Sequence, residues 1–191
     1  MKKNLLLYGI FLGALSLSSC SGNTKNREMA GNSMSVESAN EVMKYYDTSL
    51  KVLKNLVNED SIKAVLGYID KTEGTDMLPI VSQPVVSARD TMFVAAPGDY
   101  LSQEDRQNLE ENYTRLFRSV SAFYENYATY RLYMKDKAYL KDNYAMADKI
   151  RKEELLLSIA LSEYKQVIFD ILTPAVEGAQ TVLVPVQKDK K

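Results

Sequence analysis

Histidine is absent from this chain, and cysteine occurs once, at Cys20. Without histidine there is no Ser-His-Asp or Cys-His catalysis, no His-ligated zinc and no Glu-x-x-His di-iron bundle. One cysteine excludes an intramolecular disulfide and a thiolate metal cluster. No Gly-x-x-x-x-Gly-Lys phosphate loop is present, and no dinucleotide glycine fingerprint. A basic excess is lacking too: 24 basic residues face 25 acidic ones, so no nucleic-acid partner is expected. Spaced acid pairs are also missing. Glu110-Glu111 and Glu153-Glu154 are adjacent in sequence, and adjacent residues diverge on a helix. Asp136, Asp142 and Asp148 do not match a calcium-loop pattern. These absences predict a non-enzymatic protein with no cofactor and no metal site.

What is present is helical patterning. Leu109, Tyr113, Leu116, Val120, Phe123, Tyr127, Tyr130 and Met134 alternate steps of four and three without a miss. That is the repeat of a helix packed on other helices, about 38 Å long at 1.5 Å per residue. Phe117 and Tyr124 widen the stripe, which suits a globular bundle core better than a two-stranded seam. Ser102 offers an N-cap hydroxyl, with Glu104 and Asp105 in the first turn where the helix dipole favours them. The end is expected near Lys135.

A first helix is expected from about Glu37 to Lys71, with Ala39, Met43, Tyr46, Leu50, Leu53 and Val57 on its inner face. The cluster Asn58-Glu59-Asp60-Ser61 perturbs or breaks it, Asp60 or Ser61 being able to cap a second piece. Gly74 is its expected stop. Residues 75–101 contain Pro79, Pro84 and Pro97, each awkward inside a helix. The segment is nonetheless apolar, so it is expected to pack down with a short helix or strand of its own.

After a polar turn over 135–143, with Asp142 or Asn143 as cap, a third helix carries Ala147, Ile150, Glu154, Leu157, Leu161, Tyr164, Ile168, Ile171 and Ala175. Pro174 should kink or split it. Leu155, Leu156 and Ile159 lie on its far side, and the apolar 77–96 connection is the expected cover, with a bound partner as the alternative. The fold class is therefore all-α: an antiparallel bundle of three long helices, the third kinked or split at Pro174, with a long irregular connection between the first two. In a chain of 191 residues this is a single domain with its own core.

The front reads differently. Met1-Lys2-Lys3 supplies a short positive region, Leu5 to Leu17 an apolar run, and Leu17-Ser18-Ser19-Cys20 its end. This is a secretory signal, with an apolar run too short for a membrane span. The ending resembles the lipobox of bacterial lipoproteins, in which cleavage falls between positions equivalent to Ser19 and Cys20 and the cysteine is acylated. Lipidation also accounts for an otherwise unpaired thiol in a secreted chain. The expected organisation is a signal peptide over 1–19, a flexible tether over 20–35 from lipidated Cys20, the bundle over 36–187 and a polar tail over 188–191. Removing Lys2 and Lys3 leaves a mildly acidic chain, so the acyl chains must anchor it to membrane lipid. Ser21 follows the cysteine where some bacteria use aspartate for inner-membrane retention. That likeness favours the outer membrane, and the lack of an acidic run favours its periplasmic face.

Two features remain as candidate binding groups. Seven tyrosines lie between Tyr113 and Tyr144. Tyr113, Tyr127 and Tyr130 fall on the core stripe. Tyr124, Tyr133, Tyr139 and Tyr144 flank it or lie at the turn, where tyrosines can stack on sugar rings or dock a partner. Glu154 falls on the apolar stripe of the third helix. It requires a partner such as Arg106, Arg115 or Lys149, a position at the bundle end, or a pocket.

The stretch Tyr133-Met134-Lys135-Asp136-Lys137-Ala138-Tyr139-Leu140-Lys141-Asp142-Asn143-Tyr144-Ala145 resembles the turn of the YiiG-like bacterial lipoproteins, a family of unknown function. The resemblance implies a helical, envelope-anchored protein and no catalytic residue. The expected function is a membrane-anchored binding or scaffolding module of the cell envelope, with an envelope protein or glycan as partner. The alternative is a small-ligand or glycan receptor using the tyrosine-rich end.

Overall fold

The computed structural model describes residues 34–70 and 78–184. The signal segment with Ser19 and Cys20, the tether up to residue 33, the Gly74 stop and the tail lie outside the described residues. Six helices occur among those described: α1 (Val36–Leu56), α2 (Glu59–Asp70), α3 (Ala88–Ala95), α4 (Gln103–Lys135), α5 (Tyr139–Asp142) and α6 (Ala145–Leu183). The fold is an all-α bundle, as the patterning predicts.

The first rod is broken. Helix α1 ends at Val57, which leaves helical geometry at φ −109°, ψ 60°. Asn58 caps α2, its Oδ1 accepting from the Ser61 N–H at 2.9 Å. The cap is thus Asn58, and Asp60 and Ser61 sit inside the first turn. The inner face of α1 matches the expected one at Ala39, Leu53 and Val57 but is displaced by one residue at Met43, Tyr46 and Leu50. Val42, Tyr45, Ser49 and Val52 are buried, while Leu50 is partly exposed. Tyr45 and Tyr46 are equivalent by hydropathy, and tertiary contact decides between them. Tyr45 is chosen because its hydroxyl reaches the Val94 carbonyl at 2.6 Å.

Helix α4 is capped by Ser102, whose Oγ accepts from the Asp105 N–H at 3.1 Å. Every residue of its four-three stripe from Leu109 to Met134 is buried, with Tyr124 and Tyr133 added. Helix α6 runs unbroken through Pro174, so of the two expected outcomes, a kink or a split, the split does not occur. Pro174 is exposed, so the carbonyl it leaves unpaired is on the water side, where solvent satisfies it. The buried face of α6 drifts to Ser158, Leu172 and Val176, one place beyond the expected Leu157, Ile171 and Ala175. A straight helix of 3.6 residues per turn drifts in this way against a strict 3.5 repeat.

Named contacts fix the directions. Tyr130 donates to the Ile69 carbonyl at 3.1 Å, near the end of both rods, so α1–α2 and α4 run the same way. Arg151, early in α6, lies 3.6 Å from Asp70, late in α2. Helix α6 is therefore antiparallel to both rods and packs on α1, α2 and α4.

The irregular connection brings the chain back. It descends along α4: Arg131 Nε donates to the Leu78 carbonyl at 3.1 Å, Tyr127 to the Pro79 carbonyl at 2.8 Å, and Gln83 to Ser121 at 3.5 Å. It then forms α3, capped by Ser87 and held to α1 by a 2.7 Å Lys51–Asp90 ion pair. The strap, residues 78–101, thus occupies the place a fourth helix would fill. It does not cover the far face of α6. Leu155, Leu156 and Ile159 remain 54%, 66% and 47% exposed. The strap instead packs between α1 and α4, its α3 lying against both, and so does not reach that face.

Candidate functional site

The tyrosine-rich end is built by the turn between α4 and α6. Lys137, Asn143 and Tyr144 hold positive φ angles of 54°, 51° and 66°, a region side chains other than glycine and asparagine rarely enter. Tyr144 is held there by ring packing. It stacks on Tyr139 at 4.8 Å between centroids with 12° between planes, and Tyr133 meets Tyr139 edge-on at 6.5 Å. Asp142 locks the corner. One carboxylate oxygen accepts from the Tyr133 hydroxyl at 2.6 Å, the other from the Met146 N–H at 3.1 Å. The hydrogen bond from Tyr133 is the main reason the Asp142 carboxyl is held below its usual range. The N-cap position of α6 is thus Tyr144 and not the expected Asp142 or Asn143, although the Asp142 carboxylate, from the end of α5, satisfies one N–H of its first turn.

Tyr133, Tyr139 and Tyr144 are thus brought together, and Tyr124 is not with them. It lies nine residues earlier on α4, about 13 Å along the axis, buried against Phe123 at 5.4 Å. Tyr139 and Tyr144 spend one ring face each on the other. Tyr133 is 6% exposed, so its ring is spent on packing.

Glu154 is fully buried, and neither carboxylate oxygen has a hydrogen-bond partner. The expected partners are engaged elsewhere or unaligned: Arg115 pairs with Glu111, Lys149 with Glu153 at 3.7 Å, and the buried Arg106 Nε has no acceptor. Nor does Glu154 sit at the bundle end. Arg151 and Asp70 lie about a turn to one side, and Ser158, beside Ile62 of α2, about a turn to the other. Desolvation, then the charge of Glu153, raises its pKa from 4.5 to about 8. The Tyr124 hydroxyl on α4, itself buried and unpartnered, is raised by desolvation and then by the Glu154 charge.

A cleft of about 420 Å³ opens between the strap and α4. Leu56, Pro84, Val86, Thr91, Phe117 and Val120 are among its walls, and Val85 at its rim is 92% exposed. Sequence reasoning missed this cleft, because it arises from three segments distant in sequence, on α1, the strap and α4. Among the described residues there is no cluster of three potential metal ligands, and no helix long and apolar enough to cross a membrane.

A parallel pair of rods, an antiparallel third and an irregular strap define a small helical-bundle class. Within that class, the family described as "Domain of unknown function (DUF6845)" matches residues 33–185, and the chain belongs to it. The chain is similar to a crystal structure of a DUF3829 family protein from Bacteroides vulgatus ATCC 8482. Identity is 76% and the TM-score 0.76, covering 80% of this chain and 100% of that one. It is also similar to an alpha helical protein from Bacteroides fragilis NCTC 9343, at 44% identity and TM-score 0.68, over 78% of this chain and 56% of that one. A third likeness is to an uncharacterized DUF3829-like protein from Bacteroides thetaiotaomicron VPI-5482, at 37% identity and TM-score 0.63, over 78% and 53%. The chain spans little more than half the length of the last two. No curated protein matches it.

Proposed function

We propose that the protein is a non-catalytic lipoprotein of the cell envelope, a helical binding or scaffolding domain held to membrane lipid through Cys20. The observation that carries this reading is the front of the sequence. A short basic start, an apolar run and Leu17-Ser18-Ser19 lead to the chain's one cysteine. The likeness of residues 133–145 to the YiiG-like lipoproteins supports the same reading. The outer membrane, facing the periplasm, is the proposed location. Two acyl chains at about 0.8 kcal/mol per buried methylene give stable anchoring, and a tether of some fifteen residues lets the domain stand roughly 20 Å off the bilayer. The partner-binding half of the reading draws on the strap cleft, whose apolar walls and exposed Val85 suit a protein segment better than a sugar. In the alternative, a glycan receptor, the stacked Tyr139 and Tyr144 offer only their outer faces.

The test is metabolic labelling with a palmitate analogue. Label is expected on the wild-type chain and absent from Cys20→Ala. Equal labelling of both would overturn the anchor.

A further inference from the structure

Helix α6 has a second face. Opposite its buried stripe, Leu155, Leu156 and Ile159 form an exposed apolar patch. Lys152 precedes it and Glu163 follows it, on the same side of the helix, eleven residues apart. That spacing is three turns, about 16 Å. Both are exposed, and neither has an ion-pair partner among the described residues. The contrast with the neighbouring turn is direct: Lys149 pairs with Glu153 and Arg151 with Asp148.

We propose that this face binds a second copy of the same chain, α6 against α6, antiparallel about a two-fold axis passing between Leu157 and Ser158. That axis places Lys152 of each copy opposite Glu163 of the other, and Leu156 of each opposite Ile159 of the other. One self-complementary patch then satisfies both unpaired charges twice, as an isologous interface requires. A parallel pairing would set lysine on lysine and glutamate on glutamate. A shallow groove of about 370 Å³ between α2 and α6, with Ile62, Ser158, Ile159 and Ser162 among its walls, adjoins the patch and receives Leu155 of the second copy. A lipid surface is a poorer occupant, because membrane-lying helices carry a basic rim, and here the two ends of the patch are of opposite sign. The inference goes beyond the envelope reading and stands without it.

The experiment uses full-length protein with two different affinity tags, co-expressed and solubilised in mild detergent. Recovery of the second tag on the first is measured. Wild-type copies are expected to co-purify. Lys152→Glu in both copies, or Glu163→Lys in both, creates two like-charge contacts per dimer and should cut recovery by about tenfold. One tagged copy with Lys152→Glu and the other with Glu163→Lys should co-purify again, which also shows that the variants fold. Wild-type copies that fail to co-purify would overturn the proposal. So would recovery unaffected by any exchange, which would mean shared micelles. Loss of a different envelope protein, recovered in equal amount with wild type and absent with Leu156→Glu, while no second tag is ever found, would also overturn it.

Discussion

Helix α4 meets two kinds of neighbour, and its polar groups fare differently on each. Where α4 faces the strap and the end of α2, Tyr127, Tyr130 and Arg131 each find a backbone carbonyl: Pro79, Ile69 and Leu78. On α1, Tyr45 does the same with Val94. Where α4 faces the third turn of α6, the Tyr124 hydroxyl finds none, and Glu154 opposite it is equally unpaired. The acceptors explain the contrast. Pro79 and Leu78 lie in non-helical backbone, and Ile69 and Val94 lie in the last turns of α2 and α3. Carbonyls there have no intrahelical donor, whereas those in mid-helix are already used. An irregular strap in place of a fourth helix thus makes a tyrosine-rich core possible, because it supplies acceptors that a helix would withhold.

The largest effect should come from removing the unpaired acid. Glu154→Leu is expected to stabilise the domain by about 1–3 kcal/mol at neutral pH, since it deletes an unsatisfied buried group. Chemical denaturation would measure this. The pH dependence sharpens the test. The folded pKa of Glu154 is raised, so the folded state holds a proton that the unfolded state releases. Stability from this group is complete below about 4.5 and falls as pH rises to about 8. The variant should lose that downward slope. Asp90 and Asp142 act in the opposite sense. Lys51 and Tyr133 respectively hold their carboxyls below 3.8, so their stability is present above that range and lost as pH falls. An unchanged slope in Glu154→Leu would mean that the acid is solvated.

Next in size is Tyr45→Phe, which strands the Val94 carbonyl in a fully buried site and should cost about 1–2 kcal/mol. Tyr127→Phe and Tyr130→Phe should each cost about 1 kcal/mol by thermal or denaturant unfolding. Smallest is Tyr124→Phe, which removes a hydroxyl that has no partner. It should be neutral within about 0.5 kcal/mol or slightly stabilising. Equal losses at Tyr124 and Tyr127 would break the distinction between the two sides of α4.

Legibility followed how far apart in sequence the deciding contacts lie. The stripe of α4 read correctly residue for residue, since neighbours on several sides make its wide face unambiguous. The cap at Ser102 read correctly because capping is local, whereas the N-cap of α6 fell on Tyr144, whose positive φ has no sequence signal. In α1 the choice between Tyr45 and Tyr46 was illegible, being settled by a carbonyl 49 residues away. The drift along α6 was missed because a four-three template was carried over a helix of 39 residues. The strap's place between α1 and α4, and hence the cleft and the bare face of α6, had no local signature. Among the candidate tyrosines, three converge because they share one turn, and Tyr124 separates because nine residues of helix intervene. The isolation of Glu154 could have been suspected from its place on the apolar stripe.

Of the six described helices, α6 follows the others in the chain, and α1, α2, α4 and α5 all lean on it. A nascent chain that has not yet reached α6 therefore lacks the surface on which α1, α2 and α4 close most of their core. Early segments must wait, open and threadable, until that helix has been made, so its emergence and burial of the domain's interior become a single event.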